Sequence, residues 1–161
     1  MNRHIRRLRA PQRNPQRGFT YMGLLVMIAI IGIVSAAAVS VGAIVQRRDA
    51  EEELLFIGQQ FRRAFQLYYE STPPGQRRHP AALAELLKDP RYPEIRRYLR
   101  RIYVDPLTGR DDWVPVVAPE GGIMGVHSRS AAQPIKIANF PEEFRTFENQ
   151  STYAQWIFFY R

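Results

Sequence analysis

Asp105, Asp111 and Asp112 are the carboxylates of this chain whose spacing could gather around a metal ion. Calcium is the ion that such oxygen ligands would take. It prefers about six to eight oxygens, and no EF-hand spacing surrounds these three residues. Asp105-Pro106 and Thr108-Gly109 equally suit a turn that needs no metal. The histidines, His4, His79 and His127, have no motif partners in sequence and read as surface or polar-network residues. No glycine-rich phosphate loop, zinc-ligand spacing or nucleophile elbow is present. The chain therefore reads as no enzyme, with no cofactor beyond candidate calcium at Asp105, Asp111 and Asp112.

The elements that position any function begin with an apolar run. Phe19–Val45 holds 27 residues without a charge, and about 20 suffice to span a bilayer as a helix. Ahead of it stand Arg3, Arg6, Arg7, Arg9, Arg13 and Arg17, with no acid among residues 1–18. Removing those six arginines leaves 17 basic against 15 acidic residues, so the +8 of the whole chain is largely a property of its first residues. Arginines beside a membrane segment are a cytoplasmic retention signal. A nucleic-acid-binding arm is the competing reading, disfavoured because a spanning segment follows at once. A cleaved secretory signal is the other alternative, with Ser35-Ala36-Ala37-Ala38 as its cleavage element. Against it, Phe19–Val34 is already 16 residues long, and apolar residues continue to Val45.

Arg17-Gly18-Phe19-Thr20, followed by Leu24-Leu25-Val26-Met27-Ile28-Ala29-Ile30-Ile31-Gly32-Ile33, resembles the class III signal of type IV pilins and type II secretion pseudopilins. The resemblance covers nearly all of Gly18–Val34. It implies cleavage between Gly18 and Phe19 by a prepilin peptidase and methylation of the new amino group on Phe19. The family usually carries glutamate at the fifth mature position, which pairs with a neighbour's terminal amine. Here that position is Gly23. A carboxylate in the bilayer is costly unless paired, and Gly23 removes both cost and pairing. The departure implies a minor subunit. Small residues also let membrane helices pack closely.

Past Val45 the helical pattern continues. Leu54, Ile57, Phe61, Phe65 and Tyr68 recur at three- and four-residue intervals and predict one buried helix face. Glu51, Glu52, Arg62 and Arg63 are expected on other faces. Thr72-Pro73-Pro74-Gly75 ends the helix, because proline cannot continue it and restricts the residue before it. Short helices are expected over Pro80–Leu87 and Pro93–Arg101, the latter with Ile95 and Leu99 on one face and its arginines solvated. Trp113–Ala118 and Ile123–His127 read as strands joined by Pro119-Glu120-Gly121-Gly122, with Pro115 marking an edge or bulge. Tyr153–Tyr160 reads as a last strand.

The predicted class is α+β: a long N-terminal helix packed on a small C-terminal antiparallel sheet, the pilin-like layout. Its expected divisions are a basic leader (1–18), a transmembrane helix (19–45), an amphipathic continuation (46–71) and a periplasmic head (72–161). Asp105-Pro106-Leu107-Thr108-Gly109 through Trp113 also resembles the Asp-Pro loop of G-type major pseudopilins, which implies calcium there. The function implied is a structural subunit of a type II secretion or type IV pilus assembly. Its partners would be other pilin-like subunits, the prepilin peptidase and an inner-membrane assembly platform. It would cross the bacterial inner membrane once, with its head in the periplasm, and join a filament after assembly. Nucleic acid is an unlikely partner, although Arg91, Arg96, Arg97, Arg100 and Arg101 keep a DNA-binding minor pilin as the alternative.

Overall fold

The computed structural model describes residues 17–160 except residue 74, and the side chains of residues 17–19 and 37–41 lie outside the described set. The expected leader, apart from its last two residues, and His4 fall outside it. The chain divides into two units, Met1–Ala43 and Ile44–Arg161. One helix, α1 (Arg17–Glu70), contributes to both. It contains no proline, and the first one after it is Pro73.

In the first unit, every described side chain from residue 20 to residue 36 is exposed. Among the described residues no helix is long and apolar enough to cross a membrane. The apolar run of the sequence passes through residues 37–41, whose side chains lie outside them.

The second unit is α+β and holds the core. Leu54, Ile57, Phe61, Phe65 and Tyr68 are all buried, so the predicted stripe is the packed face of α1. The helix ends where its last carbonyls find other donors. Ser71 Oγ donates to Tyr68 O (2.7 Å), and the Tyr92 hydroxyl donates to Ser71 O (2.7 Å). Orphan carbonyls are thereby satisfied just ahead of Pro73.

Between α1 and the sheet the two expected helices fare differently. Residues Leu83–Leu86 form a single 3-10 turn. Pro93–Arg101 forms no helix. Its backbone turns toward the preceding loop instead: Tyr98 and Leu99 N–H both donate to Leu86 O (2.9 and 3.0 Å), and Asp89 N–H donates to Arg96 O (3.0 Å). Leu99 is buried while Ile95 is two-thirds exposed, so the supposed shared face does not exist.

The sheet has three antiparallel strands in the order β1 (Val114–Val117), β2 (Ile123–His127), β3 (Phe158–Phe159). Pro115 sits on the edge strand, and the register shifts between Val116 and Val117. The connection uses Gly121 and Gly122, both at positive φ (94° and 80°). Gly122 is also needed for space, since a Cβ there would lie 2.8 Å from His79 Cβ and from His79 O. The last strand is shorter than expected. Gln155 Oε1 accepts from Ser151 N–H (2.9 Å) and Thr152 N–H (3.1 Å), which folds Tyr153–Gln155 into a 3-10 turn before β3 begins.

Helix and sheet share one core, which also includes Trp113, Ile123, Val126, Phe144, Phe147, Tyr153, Trp156 and Phe158. Phe61 meets Trp113 edge-on at 5.0 Å, and Phe147 stacks on Trp156 at 5.3 Å. Gly58 marks the tightest approach, where an added Cβ would run into the Phe158 ring. Aromatic rings supply most of this core, as suits a cysteine-free domain with no disulfide to hold it.

Candidate functional site

The residues implicated by the resemblance lie at the start of α1. Gly18 and Phe19 are helical in backbone, and their side chains are outside the described set. Gly23 lies one turn further on, and nothing stands within 4 Å of the position its Cβ would take. Leu24, Leu25, Val26, Met27 and Ile28 follow, all exposed. Among the described residues this stretch is therefore an exposed apolar helical surface.

The three aspartates have separate roles. Asp105 is fully buried. Its Oδ2 accepts from Ser128 Oγ (2.6 Å), and its Oδ1 accepts from Leu107 N–H (2.9 Å). Its backbone N–H donates to Arg110 O (2.7 Å), and its carbonyl accepts from Gly109 N–H (2.8 Å), with Gly109 at φ 69°. Asp112 Oδ1 accepts from Thr108 Oγ1 (2.7 Å), and its Oδ2 lies 3.4 Å from Arg129 Nε. Asp111 is exposed. Among the described residues no three of His, Cys, Asp or Glu gather closely enough to hold a metal ion. Hydrogen bonds from Leu107 N–H and Ser128 Oγ to Asp105, and from Thr108 Oγ1 to Asp112, organise the Asp-Pro loop.

Two buried polar clusters were not expected from the sequence. The first centres on Glu51, assigned above to a non-core face and in fact only 3% exposed. Its Oε1 accepts from Ile135 N–H (2.6 Å), Lys136 N–H (3.2 Å) and the Tyr153 hydroxyl (2.8 Å). Nearby, Arg47 Nη2 donates to Gln133 O (3.1 Å). One carboxylate and one guanidinium thus fix the 133–136 loop to α1 next to the end of the apolar run. Burial, and then the bond to Glu51, push the Tyr153 hydroxyl up to about 12. The signal was available, because Glu51 stands three residues before Leu54 and so continues the apolar stripe.

The second cluster closes the C-terminal end of α1. Arg91 donates through Nε and Nη2 to the buried Asp89 carboxylate (2.8 and 2.6 Å), and through Nη2 to Tyr68 O (3.0 Å) and Ser71 Oγ (2.8 Å). Its guanidinium lies 3.7 Å from the Tyr68 ring centroid, a cation–π geometry. The Tyr98 hydroxyl adds a bond to Asp89 Oδ2 (2.7 Å). Burial alone would raise the Asp89 carboxyl, but the Arg91 and Tyr98 hydrogen bonds and the Arg91 charge hold it down at about 2. Arg91 therefore serves the fold and is not part of an exposed basic patch. Arg96, Arg97, Arg100 and Arg101 are exposed, with Arg96 over the Tyr92 ring (4.0 Å) and Arg101 over the Tyr103 ring (5.2 Å).

His79 is buried, stacked on Tyr69 at 4.9 Å and 3.7 Å from Glu120. Burial lowers its pKa, against a smaller opposing effect of Glu120. His127 contacts Ser128 O through Nδ1 at 2.8 Å. No protein family, curated protein or solved structure matches this chain.

Proposed function

We propose that this chain is a pilin-like structural subunit, a pseudopilin or minor pilin, of a type II secretion or type IV pilus assembly. The observation that carries the reading is the Arg17-Gly18-Phe19-Thr20 junction at the head of an uncharged run to Val45. Two features of the fold support it: α1 is a single helix from Arg17 to Glu70, and its second half shares a core with a three-stranded antiparallel sheet. The exposed apolar surface of residues 20–36 requires lipid or neighbouring helices, since contiguous patches of this kind do not face water.

The mechanism is mechanical. A prepilin peptidase cuts after Gly18, the amino group of Phe19 is methylated, and the apolar helix holds the subunit in the inner membrane with its head in the periplasm. On extraction into a filament the same surface packs against other pilin-like subunits. Lipid is as apolar as leucine, so this transfer is driven by packing, with energy supplied by a separate assembly ATPase. Gly23 withholds the usual carboxylate, which supports a minor-subunit role. The reading is tested by co-expressing the chain with a prepilin peptidase and comparing wild type with Gly18→Val. The processed product appears only with wild type, and its absence in both contradicts the proposal.

A DNA-binding minor pilin is the second reading, favoured by one observation. Among the described residues Arg96, Arg97, Arg100 and Arg101 have no carboxylate within 4.0 Å. Phosphate contacts by these arginines would give an affinity that falls steeply with salt. Replacing all four by Gln should then abolish duplex retention, and unchanged binding excludes this reading.

A further inference from the structure

We infer that the loop spanning residues 131–137 is a lipid-contact surface that seats the second unit on the phosphate layer of the membrane. This rests on the anchor reading above and adds a second contact with the bilayer, made by the folded unit itself.

Position comes first. Within the second unit, Ile44 and Val45 are exposed apolar residues of α1, and Arg47 follows two positions after Val45. At 1.5 Å per residue that is about 3 Å along the helix axis. The bond from Arg47 Nη2 to Gln133 O (3.1 Å) and those from Ile135 and Lys136 N–H to Glu51 hold the loop at this level of α1. If Ile44 and Val45 lie at the edge of the hydrocarbon, the loop lies at the headgroups.

Chemistry comes second. Residues 131–137 read Ala-Ala-Gln-Pro-Ile-Lys-Ile. No acid occurs among them, Ala131, Ala132 and Gln133 are exposed, and Ile137 is 54% exposed. The cations around the loop are Arg47, Arg48 and Lys136, of which Arg48 and Lys136 line one cleft of about 260 Å³ with Glu51, Glu52, Leu55 and Ile135. Side chains on a helix lean toward its N-terminus, which here directs Arg47 and Arg48 toward the apolar run. The carboxylate of Glu51 is turned inward onto the loop and Tyr153. Asp49, Glu52 and Glu53 stand at least one residue further from the apolar end. Cations with apolar stems flanking small apolar side chains match a layer of anionic phosphodiesters above acyl chains.

Among the described residues Arg47, Arg48 and Lys136 have no carboxylate within 4.0 Å; Arg47 Nη2 is engaged by Gln133 O and the Lys136 ammonium lies 5.0 Å from the Phe140 ring centroid, so none of the three charges is neutralised by an ion pair. The cost of ordering the loop is met by Glu51, so the surface is preformed rather than induced by lipid.

The test uses the full chain in nanodiscs of phosphatidylcholine and phosphatidylglycerol. It exploits the absence of cysteine, with single spin labels placed at Leu25→Cys, Gln133→Cys and Gln76→Cys. Collision with a water-soluble nickel chelate and with oxygen reports depth. The inference expects the Gln133 label to meet nickel severalfold less often than the exposed Gln76 label, with Leu25 deepest. It also expects the Arg48→Gln/Lys136→Gln pair to raise nickel access at Gln133. If Leu25 is embedded while Gln133 is as accessible as Gln76, the anchor stands and this inference falls. If Leu25 itself is open to nickel, the anchor reading fails and takes this one with it. Protection at Gln133 that ignores the charge pair overturns the phosphate contact.

Discussion

The Glu51 carboxylate accepts a 2.8 Å hydrogen bond from the Tyr153 hydroxyl, a residue 102 positions later in the chain. The same oxygen holds Ile135 and Lys136 N–H. A buried carboxylate is tolerated here because each of its neighbours donates to it. Glu51→Ala leaves two backbone donors and a phenol unsatisfied and should cost about 1–3 kcal/mol or more. Tyr153→Phe removes one donor and should cost less. Thermal unfolding of both variants and of the double mutant checks this, with strong non-additivity expected for groups in one network. Additive losses would show that the cluster is not coupled.

Asp89 sets an acid limit on stability. Its folded pKa of about 2 lies below the usual 3.8. A depressed carboxyl contributes stability that is fully present above the unfolded value and is lost as pH falls through the folded one. The loss should therefore occur between about pH 4 and pH 2. Asp89→Asn should remove this dependence while lowering stability at neutral pH, because Arg91 would lose its charged partner. An unchanged acid limb in Asp89→Asn denaturation curves would contradict the assignment.

Gly58 and Gly23 make a paired test. A Cβ at Gly58 meets the Phe158 ring, whereas at Gly23 it meets nothing. Gly58→Ala should destabilise the second unit by about 1–3 kcal/mol through overpacking. Gly23→Ala should leave the unfolding midpoint of that unit unchanged. Equal effects would contradict the helix-on-sheet contact.

The core stripe was legible because Leu54, Ile57, Phe61, Phe65 and Tyr68 repeat with the helical period and nothing interrupts them. Glu51 was not, since a carboxylate on a buried face runs against composition even when it fits the period. The 93–101 segment misled for the opposite reason. Ile95 and Leu99 have helical spacing, but Leu86 O draws the Tyr98 and Leu99 amides into a loop that only tertiary contacts define. Tyr153–Tyr160 has strand composition throughout, yet Gln155 diverts its first half into a turn. Asp105, Asp111 and Asp112 looked like one group because they are close in sequence. The fold buries the first, ties the third to Thr108 and leaves the second in solvent.

Truncation separates the stalk from the sheet. A chain starting at Arg48 keeps Glu51 and the whole buried face of α1, and should give dispersed amide resonances. A chain starting at Thr72 lacks Leu54, Ile57, Phe61, Phe65 and Tyr68, exposes the facing aromatics and should aggregate. A well-dispersed Thr72–Arg161 spectrum would contradict a shared core.

Gly23 bears on assembly. Expressed as the sole pilin-like subunit with an assembly machinery, the chain should remain in the membrane, because no carboxylate answers a neighbour's amino terminus. Gly23→Glu should increase sheared extracellular filament. Abundant homopolymer from the unmodified chain would contradict the minor-subunit assignment.

The central claim is that Phe19 becomes the first residue of the working protein. Intact-mass spectrometry of the chain purified after co-expression with a prepilin peptidase tests it most directly. The account predicts a mature chain beginning at Phe19, carrying one methyl group where the methylating activity is present, and no such species from Gly18→Val. A mature chain beginning after Ala38 would contradict it and mark Phe19–Ala38 as part of a discarded secretory signal.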